Sequence, residues 1–158
     1  MIKQKTFRKG PIGSLTDEYE KALAEYKEVL QAVTPAQYKE IVLPGDQHIK
    51  SIRNIAEHVV NSGYGYANYF RNYFHAKTIP APTPKCPTVQ SAIKDTDAMW
   101  KYTLDTLVFK QNMSDLEMDD TLIRTSWTIY NAEALWEHAV MHIHRHRRQI
   151  QRFFSLIE

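Results

Sequence analysis

Four of the seven histidines of this chain fall within Glu137-His138-Ala139-Val140-Met141-His142-Ile143-His144-Arg145-His146-Arg147-Arg148-Gln149-Ile150. His138, His142 and His146 recur at every fourth position, a spacing that stacks side chains on one face of an α-helix. Two imidazoles at i and i+4 can converge on one transition-metal ion, as they do in the zinc-binding H-E-x-x-H helix. No glutamate follows His142, so that motif is absent. The spacing points to a metal without saying what the metal would do.

The helix that carries these residues has an apolar seam of Leu135, Ala139, His142, His146, Gln149 or Ile150, and Phe153. Two histidines thus share the face expected to meet other helices. His144, Arg145, Arg148 and Arg152 fall toward solvent. A third ligand must come from elsewhere, and His58, in Ile55-Ala56-Glu57-His58-Val59-Val60, sits on the inner stripe of an earlier helix. A core imidazole is unfavourable unless its nitrogens find partners, and three facing imidazoles could share one divalent ion with a coordination position left open. The alternatives are hydrogen-bonded packing histidines and a solvated basic face. His138 is a fourth ligand, a supporting partner or a wall residue; its offset of eight positions from His146 turns it by about 80°, away from the same ion. His48 and His75, at a loop and a helix end, read as surface residues.

Four long helices are predicted to position these groups. The first runs from about Ser14, read as the N-cap, to Val33, and Thr34-Pro35 stops it, with a short further turn at Pro35–Tyr38. The second runs from Ser51 to about His75 with the stripe Ile52, Ile55, Val59, Ser62, Tyr66, Tyr69 and Tyr73. Gly63 and Gly65 in its middle suggest close helix contact or a kink. Pro80, Pro82, Pro84 and Pro87 form a connection no helix survives. The third helix spans Thr88 to about Gln111 and the fourth Asn131 to Phe154. Between them, 112–128 reads as an irregular crossover or a short extended piece. With only five glycines and no clear alternating stretches, a sheet protein is not expected. The fold expected is an all-α four-helix bundle with long crossover connections, residues 1–158 forming one domain.

The composition narrows the function classes. A net charge of +2 offers no global field for nucleic acid, and the basic runs Lys3, Lys5, Arg8, Lys9 and Arg145, Arg147, Arg148, Arg152 read as solvated or paired with acids such as Asp115–Asp120. The hydrophobic fraction of 43% is ordinary for a globular protein. No apolar run approaches the ~20 residues a membrane span needs, and the polar N-terminus does not resemble a signal peptide. A single cysteine, Cys86, leaves no internal disulfide; the expected location is the cytoplasm. Cys86 has no nearby histidine motif and is not expected to be a nucleophile.

The pairing of the Ile-Ala-Glu-His-Val-Val segment at 55–60 with His138-x-x-x-His142-x-x-x-His146-Arg147-x-Gln149-Ile150 resembles the DinB-like superfamily, over essentially the whole chain in helix order. The resemblance implies a four-helix bundle with a metal held by one histidine of the second helix and two of the fourth, which fall here on His58, His142 and His146. Arg148 stands where the family often has glycine, Ile143-His144-Arg145 where small residues are common, and Ile49-Lys50-Ser51 where a tryptophan often precedes the helix-two segment. Relatives include S-transferases and isomerases that use low-molecular-weight thiols, and the metals implied are zinc, nickel or iron.

Two functional readings follow. One is a divalent-metal-dependent enzyme that activates a water or a low-molecular-weight thiol, in transfer or hydrolysis, on a small-molecule substrate. The other is a non-catalytic metal- or ligand-binding bundle whose histidines tie two helices together. The catalytic base is unassigned: Glu57 and Glu137 point about 100° away from the adjacent histidines and read as salt-bridge or surface residues. Ser62 and Tyr66, one and two turns beyond His58, are candidate pocket or supporting groups. The aromatic run Tyr64, Tyr66, Tyr69, Phe70, Tyr73, Phe74 serves core and dimer packing or a pocket wall, and a homodimer is expected, with neither nucleic acid nor membrane as partner.

Overall fold

Local capping chemistry starts most of the helices. The computed structural model describes residues 6–43, 45–46 and 49–157, the side chains of 155 and 157 excepted; His48, Lys3 and Lys5 lie outside them. Helix α1 spans Gly10–Gln31 and α2 Pro35–Lys39. Helix α3 spans Ile52–Tyr73 and α4 Val89–Phe109. A short helix α5 (Asp115–Asp119), strands β1 (Ile123–Arg124) and β2 (Ile129–Tyr130), and α6 (Ala132–Ile157) complete the order. Ser51 Oγ accepts from the Asn54 amide and Asn131 Oδ1 from the Ala134 amide. Thr34 with Gln37, Thr88 with Ser91, and Ser114 with Glu117 form reciprocal capping boxes, each satisfying two helix-end donors.

The first helix begins four positions before the expected Ser14. Gly10 takes φ +75, which only glycine tolerates without strain, and Pro11 supplies a φ suited to the first turn. Ser14 lies inside the helix and donates to Gly10 O at 3.2 Å. Arg8 folds back over this end, its amide donating to Asp17 Oδ2 at 3.0 Å and its guanidinium reaching Glu20 at 2.9 Å.

The four long helices form a square in which α1 touches α4 and α6, and α3 touches the same two. Neighbouring contacts fix the directions. Gly63 meets Met99, Asn68 meets Tyr102 and Arg71 meets Thr106, so α3 and α4 run parallel. Parallel neighbours need a return path, and the proline-rich segment supplies it. Asn68 Nδ2 donates to Ile79 O at 2.7 Å near one end of α3, and Arg53 Nη2 donates to Lys85 O at 2.8 Å at the other. Six extended residues at ~3.1 Å each cover nearly the length that fifteen helical residues occupy at ~1.5 Å each. Prolines, which prefer that extended form and need no amide partner, suit the task.

Trp136, Tyr19, Tyr26, Phe70, Ile52, Ile55 and Met99 are among the largest fully buried side chains. Trp136 lies 5.3 Å from the Phe70 ring and 6.5 Å from Tyr19. The inner stripe of α3 is buried at Ile52, Ile55, Val59 and Tyr66 and half-buried at Ser62 and Tyr69, but Tyr73 at its last turn is exposed. The two glycines of α3 differ. A Cβ at Gly63 would overlap the thioether of fully buried Met99, whereas one at Gly65 would meet nothing within 4 Å. Gly63 is therefore a close-approach residue and Gly65 is not. Gly63→Ala should lose about 1–3 kcal/mol through overpacking, and Gly65→Ala should gain up to ~1 kcal/mol of helix propensity. Urea midpoints of the two variants moving in the same direction would contradict this packing.

The segment 112–128 holds a short helix and the first strand and turn of a hairpin that ends at Tyr130. Strands β1 and β2 pair antiparallel with Ile123 opposite Tyr130, and Thr125 N donates to Thr128 O at 2.8 Å across the turn. Thr121 Oγ1 accepts from the Ala132 amide and donates to Met118 O, both at 2.6 Å, which fixes this piece to the start of α6. Among the described residues, no helix is long and apolar enough to cross a membrane.

Candidate metal centre

His58 comes from α3, and His142 and His146 come from α6, which runs antiparallel to it. The i,i+4 pair points inward because the apolar residues around it, Leu135, Ala139, Ile150 and Phe153, bury the same face. His142 and His146 are buried and His58 half-buried. The Nε2 atom of His142 stands 3.0 Å from that of His58 and 3.1 Å from that of His146. The three ligand atoms lie within 4.8 Å of one another.

This donor set suits a divalent transition ion. Three nitrogens bound at about 2.1 Å in a tetrahedral arrangement stand ~3.4 Å apart; the two separations from His142 lie within tenths of an ångström of that, and all three fall inside 4.8 Å. His146 Nδ1 lies 2.6 Å from Gln149 Oε1. A carbonyl oxygen only accepts, so the proton sits on Nδ1 and the Nε2 lone pair faces the other imidazoles. Burial, reinforced by the neighbouring imidazoles, pushes His142 down to about 2, and burial with His58 beside it pushes His146 to about 4. Both are neutral near pH 7, the form that binds metal. His142 Nδ1 is buried with no hydrogen-bond partner among the described residues. Leaving it so is unfavourable, as expected of a ring held by the need of its other nitrogen.

Two results follow from this geometry. Gln149→Leu should free the His146 ring and weaken metal binding by about 10- to 100-fold, read by competition with a chromophoric chelator; unchanged affinity would remove Gln149 from the site. The second concerns acid. Both folded pKa values lie below the value near 6.5 of an unfolded histidine, so the unfolded chain binds more protons. Stability of the metal-free protein is full above about pH 6.5 and falls as pH drops toward 4, by up to ~1.4 kcal/mol per pH unit for each imidazole. Unfolding free energies from urea titrations at pH 7.5 and 5 should differ by roughly 2 kcal/mol or more; equal values would contradict neutral burial.

His138 stands outside the trio. Its ring centre is 6.5 Å from that of His142, and its Nδ1 lies 3.3 Å from the Tyr130 hydroxyl. Trp127 Nε1 donates to that hydroxyl at 3.1 Å, which leaves the Tyr130 proton for His138. Tyr66 is buried, 5.6 Å from both His138 and His142, and burial raises its hydroxyl to about 12, so it remains a neutral wall. Trp127 packs edge-on against Tyr66 and Tyr69. Tyr69 donates to Ser126 Oγ at 3.2 Å and accepts from the Ser126 amide at 3.3 Å, which clips the hairpin tip to α3. Ser62 is half-buried on α3 with no hydrogen bond to the trio among the described residues.

The remaining candidates fall elsewhere. Glu57 pairs with Arg53 at 3.1 Å, and Glu137 is exposed. His144 is half-buried on the outer side of α6, and His75 is exposed at the end of α3. Arg147 pairs with Glu25 of α1 rather than with the acids at 115–120. Cys86 is buried against Asp95, and burial raises its thiol to about 12, a value that suppresses nucleophilicity. Sequence reasoning missed three contributors. Gln149 was findable as the i+3 neighbour of His146; Trp127 and Tyr130 gave no local signal.

Among curated proteins, no sequence matches this chain. A family model described as the DinB superfamily matches residues 18–150, a span that includes α3, the hairpin and all three converging histidines. The chain belongs to the DinB superfamily.

Proposed function

We propose that residues 1–158 act as one unit, a divalent-metal-dependent enzyme in which His58, His142 and His146 hold zinc, nickel or iron and a small-molecule substrate binds beside them. The observation that carries this reading is the convergence of three Nε2 atoms in a set that, among the described residues, includes no fourth protein ligand. His138, the obvious candidate for closing the set, is engaged by Tyr130 instead. An ion there would supply Lewis acidity, lowering the pKa of a water or thiol toward neutrality. The chain's own groups do the rest. Gln149 fixes the tautomer of His146, while Tyr66, Trp127 and His138 form an aromatic wall beside the site. By family resemblance, the reaction is transfer of a low-molecular-weight thiol or a related hydrolysis. A buried single cysteine suits a cytoplasmic setting, and we propose a homodimer as the working form.

A structural site is the second reading, favoured by the origin of the ligands on two antiparallel helices, which a metal would tie together. The two separate in one experiment. Protein loaded with zinc, nickel or iron(II) is given a low-molecular-weight thiol with electrophilic acceptors, and separately activated esters and amides, alongside metal-free protein and His142→Ala/His146→Ala. Turnover that requires metal and is lost in the variant supports the enzyme. No turnover with any ion, together with a metal-free protein that melts outright, supports the structural site.

A further inference from the structure

The outer face of α6 carries a charge pattern that the metal centre does not use. Glu133, Glu137, Met141, His144, Arg148 and Arg152 recur at helical spacing on one stripe, on the side of α6 away from His142 and His146. Glu137, Arg148 and Arg152 are exposed, and Met141 is 62% exposed. Acidic residues occupy the N-terminal half of the stripe and arginines the C-terminal half, with Met141 and His144 between them. Among the described residues, neither Glu137 nor Arg148 makes an ion pair within the chain.

We propose that this stripe is the contact surface for a second copy of the chain, with the two α6 helices crossing antiparallel. A two-fold axis through the midpoint between His142 and Ile143 sets Glu137 opposite Arg148 of the second copy. The same axis sets Glu133 opposite Arg152 and Met141 opposite His144, so one register satisfies every position. A sequence that is its own complement when reversed fits an isologous interface. The adjoining surface agrees. A cleft of about 460 Å³ between α1 and α6 is lined by Leu15, Glu18, Glu137, Val140, Met141 and His144. Because Met141 of the second copy falls opposite His144, it is the apolar side chain placed to enter this cleft. A neighbouring cleft lined by Glu18, Asp115, Glu133 and Glu137 then receives the partner's arginine-bearing half.

This surface deepens the homodimer reading given above and is independent of the metal. The test is charge reversal followed by sedimentation velocity across roughly 1–100 μM. Glu137→Arg and Arg148→Glu should each raise the dimer dissociation constant at least about tenfold, since each places like charges opposite one another at both ends. An equimolar mixture of the two variants should form a heterodimer, and Glu137→Arg/Arg148→Glu should restore the wild-type constant. Helix content and metal content should be unchanged in all of them, because both residues point away from the imidazoles. A wild-type dimer insensitive to either single reversal would overturn this surface while leaving self-association in place. A monomeric wild type throughout the range would overturn both. Weakened singles without recovery in the mixture would overturn the antiparallel register.

Discussion

Supplying the bound ion to metal-free protein should raise its stability by about 4 kcal/mol when free metal exceeds the dissociation constant a thousandfold. For a chain of this size, that is a midpoint increase of roughly 10 °C. The expectation rests on a site assembled only by folding: His58 is separated from His142 by 84 positions, so the unfolded chain offers no comparable trio. His142→Ala should abolish the increase, whereas His144→Ala, on the outer side of the same helix, should preserve it. A shift that survives in the first variant, or disappears in the second, would place the metal elsewhere. The metal-free protein should nonetheless remain folded, because the largest buried side chain, Trp136, packs against Tyr19 and Phe70 rather than against the imidazoles.

Trp136→Ala should be the most damaging core substitution, at about 3–5 kcal/mol. The indole is fully buried between Tyr19 of α1 and Phe70 of α3, so removing it opens a cavity where three helices meet. Its Nε1–H has no hydrogen-bond partner among the described residues. Trp136→Phe removes that unfavourable group while keeping most of the ring contacts, and it should be much milder than alanine. Denaturant titrations of the pair check this; equal losses would mean that the indole nitrogen, rather than ring packing, sets the stability.

The helices were legible where sequence carries local chemistry. Ser51, Thr88 and Asn131 are capping side chains, and each sits at the start of the helix it was expected to begin. The start of α1 was misread because Gly10-Pro11 resembles a loop, and only the backbone reveals that glycine supplies the left-handed turn ahead of a proline-initiated helix. The i,i+4 spacing and the inner stripe of α3 bring out His58, His142 and His146, and these side chains do meet. Of the wall beside them, Tyr66 and His138 were among the candidates, but the hairpin's share was not legible. Trp127 and Tyr130 belong to a hairpin whose strands are two residues long, too short for any periodicity, and Tyr69 and His138 hold it through contacts distant in sequence. Gly63 and Gly65 show the same limit: identical residues two positions apart, one pressed on Met99 and one facing open space.

The bundle brings the imidazoles of His58, His142 and His146 together; that they hold a metal is the step on which the functional proposal turns. Metal content by elemental mass spectrometry, on wild type and on His142→Ala/His146→Ala purified without chelator, tests it most directly. The expected result is close to one transition-metal ion per chain in the wild type and none in the variant. A wild type that stays metal-free after incubation with zinc, nickel and iron(II), or a variant that retains the wild-type content, would contradict it.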